Sequence, residues 1–208
     1  MPFLSLFETT VPAMLAYLIG SLPFGYFFVR LTTGQDVRTV GSGNVGATNV
    51  HRTFGRKAGL IVLLLDVFKG CLAVWLAAIA SDDNNETIAL AIIAVMFGHC
   101  YPLFLRFRGG KAVACFIGAF LLVAPLALLI TAGIFVLAVR LSKYISLGSI
   151  VGATVFPLVL WLVNRPPNSI LVASIAAALL IVYRHKDNID RLRTGTEHRF
   201  SLKGGSAA

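Results

Sequence analysis

The chain has 208 residues, of which 57% are hydrophobic and only 13% are charged, and its mean hydropathy is +0.84. A soluble globular domain averages about 45–50% apolar and about 25% charged residues. The composition therefore excludes a soluble cytosolic enzyme, a disordered chain and a disulfide-stapled secreted module. The net charge of +9 does not indicate nucleic-acid binding, because the chain has no soluble domain to carry a basic face. We predict one integral membrane domain over residues 1–208.

Five apolar runs are long enough to predict membrane-spanning helices. Residues 1–12 carry no Lys or Arg, so we expect the first helix to be retained and not cleaved as a signal peptide. The fourth run is short for a crossing. In chain order the runs are 11–29, 58–80, 87–105, 149–163 and 168–183.

Basic residues are concentrated in four segments, 30–57, 106–111, 140–143 and 184–208, which together hold every Lys and Arg except Lys69 and Arg165. The positive-inside rule places these segments and the C-terminus in the cytoplasm. The apolar stretch 112–139 then begins and ends on one side. It must form a hairpin of two short helices turning near Ala124 and Pro125, or lie partly re-entrant. The hairpin predicts an all-α fold with seven transmembrane helices, two of them short, and the N-terminus outside.

Two charged residues, Asp66 and Lys69, fall inside the second apolar run. Their spacing of three residues places them on one face of a helix. Unpaired charge at that depth is costly, so we expect an ion pair that faces the helix bundle, with a direct substrate role as the alternative.

A glycine-rich loop, GSGNVGATN, occupies residues 41–49 and is followed by Arg52. Backbone N–H groups that glycine leaves unobstructed, together with an arginine, form a phosphate-binding arrangement. The loop also matches G-x-G-x-x-G. A dinucleotide site is rejected because the loop follows a membrane helix where that motif needs a strand, and because Asp66 lies in an apolar helix. A flexible linker is the alternative.

A second basic turn, RFRGGK, spans residues 106–111. Basic residues at an inner helix end are ordinary topological anchors. Gly109 and Gly110, however, would let the backbone approach a ligand, and Lys111 supplies a point charge suited to phosphate. Two such clusters on one face predict binding of two anionic groups.

The third cluster, RHKDNIDR, follows the last apolar run at residues 184–191. His185 could act as a general base, with Asn188 one turn away on the same face. The alternative is a solvated histidine in a basic tail. His51 and His198 have no comparable neighbours, and no role is assigned to them.

Other chemistries find no support in the residue pattern. The three cysteines, Cys71, Cys100 and Cys115, lie in or beside apolar runs and imply no disulfide framework. No nucleophile elbow, Walker signature or acidic cluster for magnesium is present, and His99 beside Cys100 has no second pair at metal-ligand spacing. We expect neither metal nor cofactor.

Three motifs occur in order across nearly the whole chain: SGNVGATN followed by Arg52, GHCYPLFLRFRGGKAVA, and HKDNIDRL followed by GTE. In this order among seven hydrophobic segments they resemble the bacterial acyl-phosphate:glycerol-3-phosphate acyltransferases. The resemblance implies transfer of a long-chain acyl group from acyl phosphate to the sn-1 hydroxyl of glycerol 3-phosphate, giving lysophosphatidic acid and phosphate. It also implies a multi-pass protein of the bacterial inner membrane whose active site faces the cytoplasm, and we expect a monomer.

The resemblance also assigns residues. It implies that the glycerol 3-phosphate and catalytic contacts are Ser42, Arg52, Lys111, His185 and Asn188. It implies that the acyl-phosphate head is cradled by Gly43, Asn44, Gly46, Ala47, Thr48 and Asn49, and the turn at Gly109 and Gly110 joins this binding set. Two positions depart from the usual family pattern, with Ala112 in place of glycine and Arg108 in place of lysine.

Two other functions remain open from the residues alone. An acyl-CoA donor is the first, because no motif was interpreted from the leaving group of the donor. A small transporter of a phosphorylated solute is the second, although such proteins usually carry internal repeats, and none is visible here.

Overall fold

Ten α-helices and no β-strand make up residues 2–200, the part of the chain that the computed structural model describes, with side chains described from residue 7 onward. The helices are α1 Pro2–Gly20, α2 Phe24–Thr33, α3 Ala47–Phe54, α4 Arg56–Ala80, α5 Asn85–Cys100, α6 Val113–Leu121, α7 Pro125–Ser142, α8 Ile145–Asn164, α9 Asn168–Arg184 and α10 Lys186–Arg193.

The predicted spans correspond to observed helices, with two corrections. The first apolar run is not one helix, because α1 ends at Gly20 and α2 begins at Phe24 after Pro23. Proline has no N–H to donate and cannot continue the hydrogen bonding of the preceding helix. The fourth run is not short, since α8 extends it to 20 residues.

The stretch 112–139 forms two helices joined by a turn at residues 122–124, beside the predicted turn position. Only one of the two is short. Helix α6 has nine residues and α7 has 18. At about 1.5 Å per residue, α6 reaches about half of a 30 Å hydrocarbon core.

Among the described residues, five helical segments are long and apolar enough to span a membrane, and a sixth is added if α9 and α10 form one bent span. This supports the predicted all-α polytopic membrane protein, but the count of seven is not confirmed. Large apolar side chains such as Leu31, Leu129 and Leu141 face outward, as expected for surfaces in contact with lipid.

Glycines allow the helices to pack closely. A Cβ on Gly118 of α6 would overlap the carbonyl oxygen of Val67 on α4, and a Cβ on Gly70 would overlap that of Cys115. Small residues at such crossings let helix backbones approach within a membrane. Beyond this crossing, the rings of Phe116, Phe120 and Phe156 pack with centroids 4.7–4.9 Å apart.

The basic segments meet at one end of the helix bundle. Phe200 donates its N–H to the carbonyl of Lys143 at 2.7 Å, and Lys111 donates to the side chain of Asn188. Helix α9 reaches the same end through Arg184, which bonds to the carbonyl of Gly110. The fold therefore gathers the motifs that the sequence analysis singled out.

Candidate active site

The glycine-rich loop is organised from within by Asn49. This residue is 2% exposed. Its Oδ1 accepts from the N–H of Ser42 at 2.8 Å, and its Nδ2 donates to the carbonyls of Asn44 at 2.9 Å and Val40 at 3.1 Å. Because these bonds occupy both ends of its amide, the Asn49 side chain shapes the loop from within, and a contact of Asn49 with substrate stays a prediction.

The loop opens onto the first turn of α3. Gly41 and Gly43 adopt positive φ angles of 59° and 68°, a conformation that glycine takes without steric cost. The N–H of Gly46 is held by the side chain of Asn44 at 2.8 Å. Helix α3 leaves the N–H groups of its first residues, Ala47 and Thr48, without partners inside the helix, so the anion-binding capacity of this region lies there.

The backbone of the turn before Lys111 is hydrogen-bonded within the protein. Gly109 donates to the carbonyl of Cys100 at 3.1 Å, and Gly110 donates to that of His99 at 3.0 Å. The carbonyls of the two glycines accept from the Arg184 guanidinium, each at 3.1 Å. The backbone is thus engaged within the protein, and the turn presents the Lys111 side chain.

Ala112, the residue after Lys111, is one of the two departures from the family pattern, and its backbone conformation explains why glycine is usual there. Ala112 is fully buried and has a φ of 60°. An L side chain in this left-handed conformation costs about 1–2 kcal/mol. Glycine adopts it freely, which accounts for glycine as the usual family residue at this position.

Lys111, Asn188 and Glu197 form a chain of hydrogen bonds at the bundle end. Lys111 donates from Nζ to Asn188 Oδ1. The Nδ2 of Asn188 donates to Glu197 Oε1 at 2.8 Å, and Glu197 also accepts from Ser146 Oγ at 2.8 Å and from Arg191 Nε at 2.7 Å. Glu197 therefore orients the amide of Asn188, with its oxygen directed at Lys111.

Glu197 and Arg184 make hydrogen bonds at this end of the bundle, and the sequence predicted no role for either of them. The GTE segment was noted only as part of a family resemblance, and Arg184 only as one basic residue at a helix end. The available signal was that Glu197 is the one carboxylate among the residues after Arg191, since such a carboxylate attracts the surrounding cations. The bonds from Asn188 and Arg191 show what it does.

Burial lowers the pKa of two predicted site residues. Burial and the positive charge of Arg191 lower the pKa of Lys111 to about 8. Burial also lowers the pKa of His185 to about 4, although its bond to Ile181 and the charge of Glu197 oppose this. The imidazole is consequently neutral at pH 7.

The hydrogen bond of His185 also determines its tautomer. Its Nδ1 lies 2.7 Å from the carbonyl oxygen of Ile181. A carbonyl can only accept, so the neutral ring carries its proton on Nδ1. Nε2 keeps a lone pair that can accept a proton or a hydrogen bond.

Glu197 is charged under the same conditions. Burial by itself raises the pKa of Glu197, but the hydrogen bonds from Asn188, Arg191 and Ser146 outweigh it and leave the pKa below its ordinary value. Its negative charge also acts on the partly buried Arg52, whose pKa is lowered chiefly by burial. Arg52 is thus electrostatically coupled to the cluster around Glu197.

An open cavity of about 550 Å³ lies between the glycine-rich loop and the Lys111 turn. Gly43 borders it on one side, and Gly109 with Arg184 on the other. Arg38 and Arg108 also line it, against one carboxylate, that of Asp36, which pairs with Arg38 at 2.6 Å. The excess of arginine makes this a site for an anion.

The three predicted clusters therefore lie near one another and form two groups. Lys111 and Asn188 are in direct contact, Glu197 joins Asn188, and Arg52 is coupled to them through charge. The glycine-rich loop faces the Lys111 turn across the cavity. No group of three metal-ligating side chains occurs among residues that the structure describes.

Known proteins are similar to this chain in sequence and in fold. Residues 10–195 match the profile of the family described as glycerol-3-phosphate acyltransferase. A glycerol-3-phosphate acyltransferase of Syntrophomonas wolfei is 43% identical over 91% of this chain and 96% of its own length. The corresponding protein of Synechococcus elongatus is 46% identical over 92% and 94%, respectively.

Two solved structures have the same fold. Both are crystal structures of PlsY (YgiH), an integral membrane glycerol 3-phosphate acyltransferase. The glycerol 3-phosphate form superposes with a TM-score of 0.87 and 38% identity, and the lysophosphatidic acid form with 0.85 and 36%. Each match covers 93% of this chain and 96% of the other. The profile match, the identities and the shared fold establish that the chain belongs to the glycerol-3-phosphate acyltransferase family.

Proposed function

We propose that the protein transfers a long-chain acyl group from acyl phosphate to the sn-1 hydroxyl of glycerol 3-phosphate. The products are lysophosphatidic acid and inorganic phosphate. The observation that carries this proposal is the arginine-rich cavity that Gly43 of the glycine-rich loop borders on one side and Gly109, two residues before Lys111, borders on the other. The PlsY structures in glycerol 3-phosphate and lysophosphatidic acid forms support the acceptor and the product.

The acceptor site is assigned to the cluster around Lys111. Lys111 and Arg52 supply positive charge for the phosphate of glycerol 3-phosphate. Asn188 and Ser42 supply hydrogen bonds, and Glu197 keeps the Asn188 amide oriented. Two cations near one phosphate also reduce its repulsion from the anionic donor.

The donor site is assigned to the glycine-rich loop and α3. The N–H groups of Ala47 and Thr48 meet the acyl-phosphate head, while Gly43, Asn44 and Gly46 give the loop its shape and Asn49 holds it from behind. Gly109 and Gly110 act indirectly by placing Lys111. The apolar helix faces beside the cavity accommodate the acyl chain in the lipid.

The reaction is a direct displacement at the acyl carbon. The acceptor hydroxyl oxygen forms a bond to that carbon, its proton leaves to a base, and the bond from carbon to the phosphate oxygen breaks. Inorganic phosphate departs with the electron pair. Because acyl phosphate is already activated, the protein contributes chiefly orientation and electrostatic stabilisation, and no covalent intermediate, metal or cofactor is required.

Two groups can take the hydroxyl proton. The first is Nε2 of His185, whose lone pair is available, and the second is a phosphate oxygen of a bound substrate. A pKa of about 4 makes the imidazole a weak base and favours a role in orienting the hydroxyl through a hydrogen bond. His185→Ala separates the roles, since loss of kcat identifies the base and a raised KM identifies binding.

We also propose seven crossings, with the N-terminus outside and the site facing the cytoplasm of a bacterial inner membrane. The collection of basic segments at the bundle end that carries the site supports this orientation. It would place glycerol 3-phosphate, which is soluble in water, and acyl phosphate, which resides in the membrane, on the same side. We propose that a monomer is sufficient, since the residues assigned here all come from one chain.

The test uses the purified full-length protein in lipid vesicles with labelled glycerol 3-phosphate and either palmitoyl phosphate or palmitoyl-CoA. We expect lysophosphatidic acid from the acyl phosphate alone, and loss of product in Arg52→Ala and Lys111→Ala. Product from the CoA donor alone would overturn the donor assignment. No product from either donor, combined with uptake of label into the vesicles, would identify a transporter.

A further inference from the structure

A polar cluster that the proposed reaction does not use lies inside the bundle next to the site. Asp66, Lys69 and His99 are 3%, 2% and 6% exposed. Lys69 Nζ lies 2.8 Å from Asp66 Oδ1 and donates to the carbonyl of Leu22 at 3.0 Å. The expected ion pair is therefore present, and it ties α4 to the break between α1 and α2.

His99 stands between this ion pair and the turn that carries Lys111. On one side, its Nδ1 is 3.6 Å from Asp66 Oδ1, too far for a hydrogen bond, and it has no hydrogen-bond partner among the described residues. On the other side, a Cβ added to Gly110 would overlap Nε2 of the His99 ring. The imidazole thus fills the space beneath Gly110.

The turn is held on both of its sides. His99 accepts the N–H of Gly110 through its own carbonyl, and Cys100 accepts that of Gly109. Arg184 holds the carbonyls of both glycines from the opposite side. Lys111 follows directly, so a displacement of the turn displaces the ammonium group relative to Asn188.

Burial of an imidazole with an unpartnered nitrogen costs about 1–3 kcal/mol. An apolar side chain of similar size would occupy the space without that cost. Such an exception in a buried region calls for an explanation. The contact between the planar ring and Gly110 provides that explanation. A bulky, flexible side chain at position 99 would not let the glycine backbone come so close.

We propose that His99, backed by the Asp66–Lys69 pair, is a positioning residue that fixes the turn at Gly109 and Gly110 and thereby aims Lys111. The inference rests on the proposed role of Lys111 in binding glycerol 3-phosphate. It assigns His99 no contact with substrate. It predicts that changes at His99 and Gly110 are coupled, since the two residues touch.

The test is a double-mutant cycle on kcat/KM for glycerol 3-phosphate, using full-length protein in lipid vesicles. We expect His99→Ala and Gly110→Ala each to reduce kcat/KM at least tenfold, mainly through KM. The methyl group that Gly110→Ala introduces fits the space that the ring vacates. The double variant is therefore expected to be no worse than the poorer single variant, whereas independent effects would multiply to at least a hundredfold.

Gly109 provides the matched control. A Cβ there would overlap the backbone carbonyl of His99, which remains in every His99 variant. The effects of Gly109→Ala and His99→Ala should therefore multiply. Equal coupling at Gly109 and Gly110, or independent effects at Gly110, would overturn the proposal.

Two further variants keep the test decisive. His99→Asn also lacks an atom at the Nε2 position, so it replaces His99→Ala in the cycle if the alanine variant does not fold. Lys111→Met tests the function on which the inference rests. Wild-type kcat/KM in Lys111→Met would refute the role of Lys111, whereas a large loss there without coupling between His99 and Gly110 would refute the positioning role alone.

Discussion

At the residue scale, the charge of Lys111 depends on pH just above neutrality. A lysine is protonated below its pKa, and burial lowers that of Lys111 to about 8. Its attraction for the acceptor phosphate should therefore be complete below pH 7 and disappear as pH rises through 8. The phosphate does not cause such a decline, because a phosphate monoester has its second pKa near 6.

We therefore expect kcat/KM for glycerol 3-phosphate to fall above pH 8, since this parameter reports the free enzyme. The matched variant is Lys111→Arg, which keeps the charge at all accessible pH values. In that variant the alkaline decline should move to higher pH, even where activity is lower overall. An unchanged decline would assign the titration to another group.

Glu197 is the second residue on which the site depends. Glu197→Gln keeps the size of the side chain but places an NH₂ group opposite Arg191 or Asn188, where a donor would face a donor. We expect kcat/KM per folded protein to fall at least tenfold, because the Asn188 amide loses its fixed orientation. The thermal unfolding midpoint should fall as well, since hydrogen bonds to charged groups contribute about 1.5–3 kcal/mol each.

Asp190→Asn is the control for that substitution. The Asp190 side chain is 73% exposed, and its ion pair with Arg193 spans 3.9 Å, so little stability is expected from it. Both kcat/KM and the midpoint should stay close to the wild-type values. A loss of stability in Glu197→Gln without any loss of kcat/KM would show that Glu197 supports the fold but does not orient Asn188.

At the scale of elements, the crossing of α4 and α6 determines how closely the short helix α6 packs against α4. Gly118→Ala would push a methyl group into the carbonyl oxygen of Val67, which is backbone and cannot rotate away. We expect Gly118→Ala to lower the thermal unfolding midpoint clearly and to reduce activity, because α6 begins two residues after Lys111. Helix α7 offers Gly133 for comparison, where an added Cβ meets nothing within 4 Å.

Gly133→Ala should leave activity unchanged and raise stability slightly, because alanine is favoured over glycine in a helix interior by about 1 kcal/mol. Stability is measured by thermal unfolding of the detergent-solubilised protein. Activity is measured by product formation in vesicles. If the two variants behave alike, the effect belongs to loss of glycine in a membrane helix and not to the crossing.

The elements differ in how well the sequence predicted them, for physical reasons. Apolar length located α4, α8 and α9 to within a few residues at most ends, because a membrane span requires a long uninterrupted run. The same criterion does not detect the break at Pro23, because the segments on both sides of it are apolar. Apolar length also cannot predict the length of α6, because neighbouring helices shield this short helix from lipid.

At the scale of the whole molecule, the chemistry of the site was more predictable than its internal supports. Glycines, arginine and lysine at helix ends indicate phosphate binding by residue type alone. That Arg184 holds the Gly109 carbonyl depends on a contact between segments that are distant in the chain. Such long-range contacts leave no local pattern in a sequence.

The proposed orientation of the bundle rests on charge and gives the last prediction. The basic end carries the site, and the opposite end carries residues 81–86, the turn and the start of α5, which are rich in acidic and amide side chains. Exposed positions at the two ends are Asp83 and Lys186. In intact spheroplasts, a membrane-impermeant maleimide should label Asp83→Cys before lysis and Lys186→Cys only after lysis. Wild-type protein measures the background from Cys71, Cys100 and Cys115. The reverse pattern would place the site outside the cytoplasm, where glycerol 3-phosphate made by the cell could not reach it.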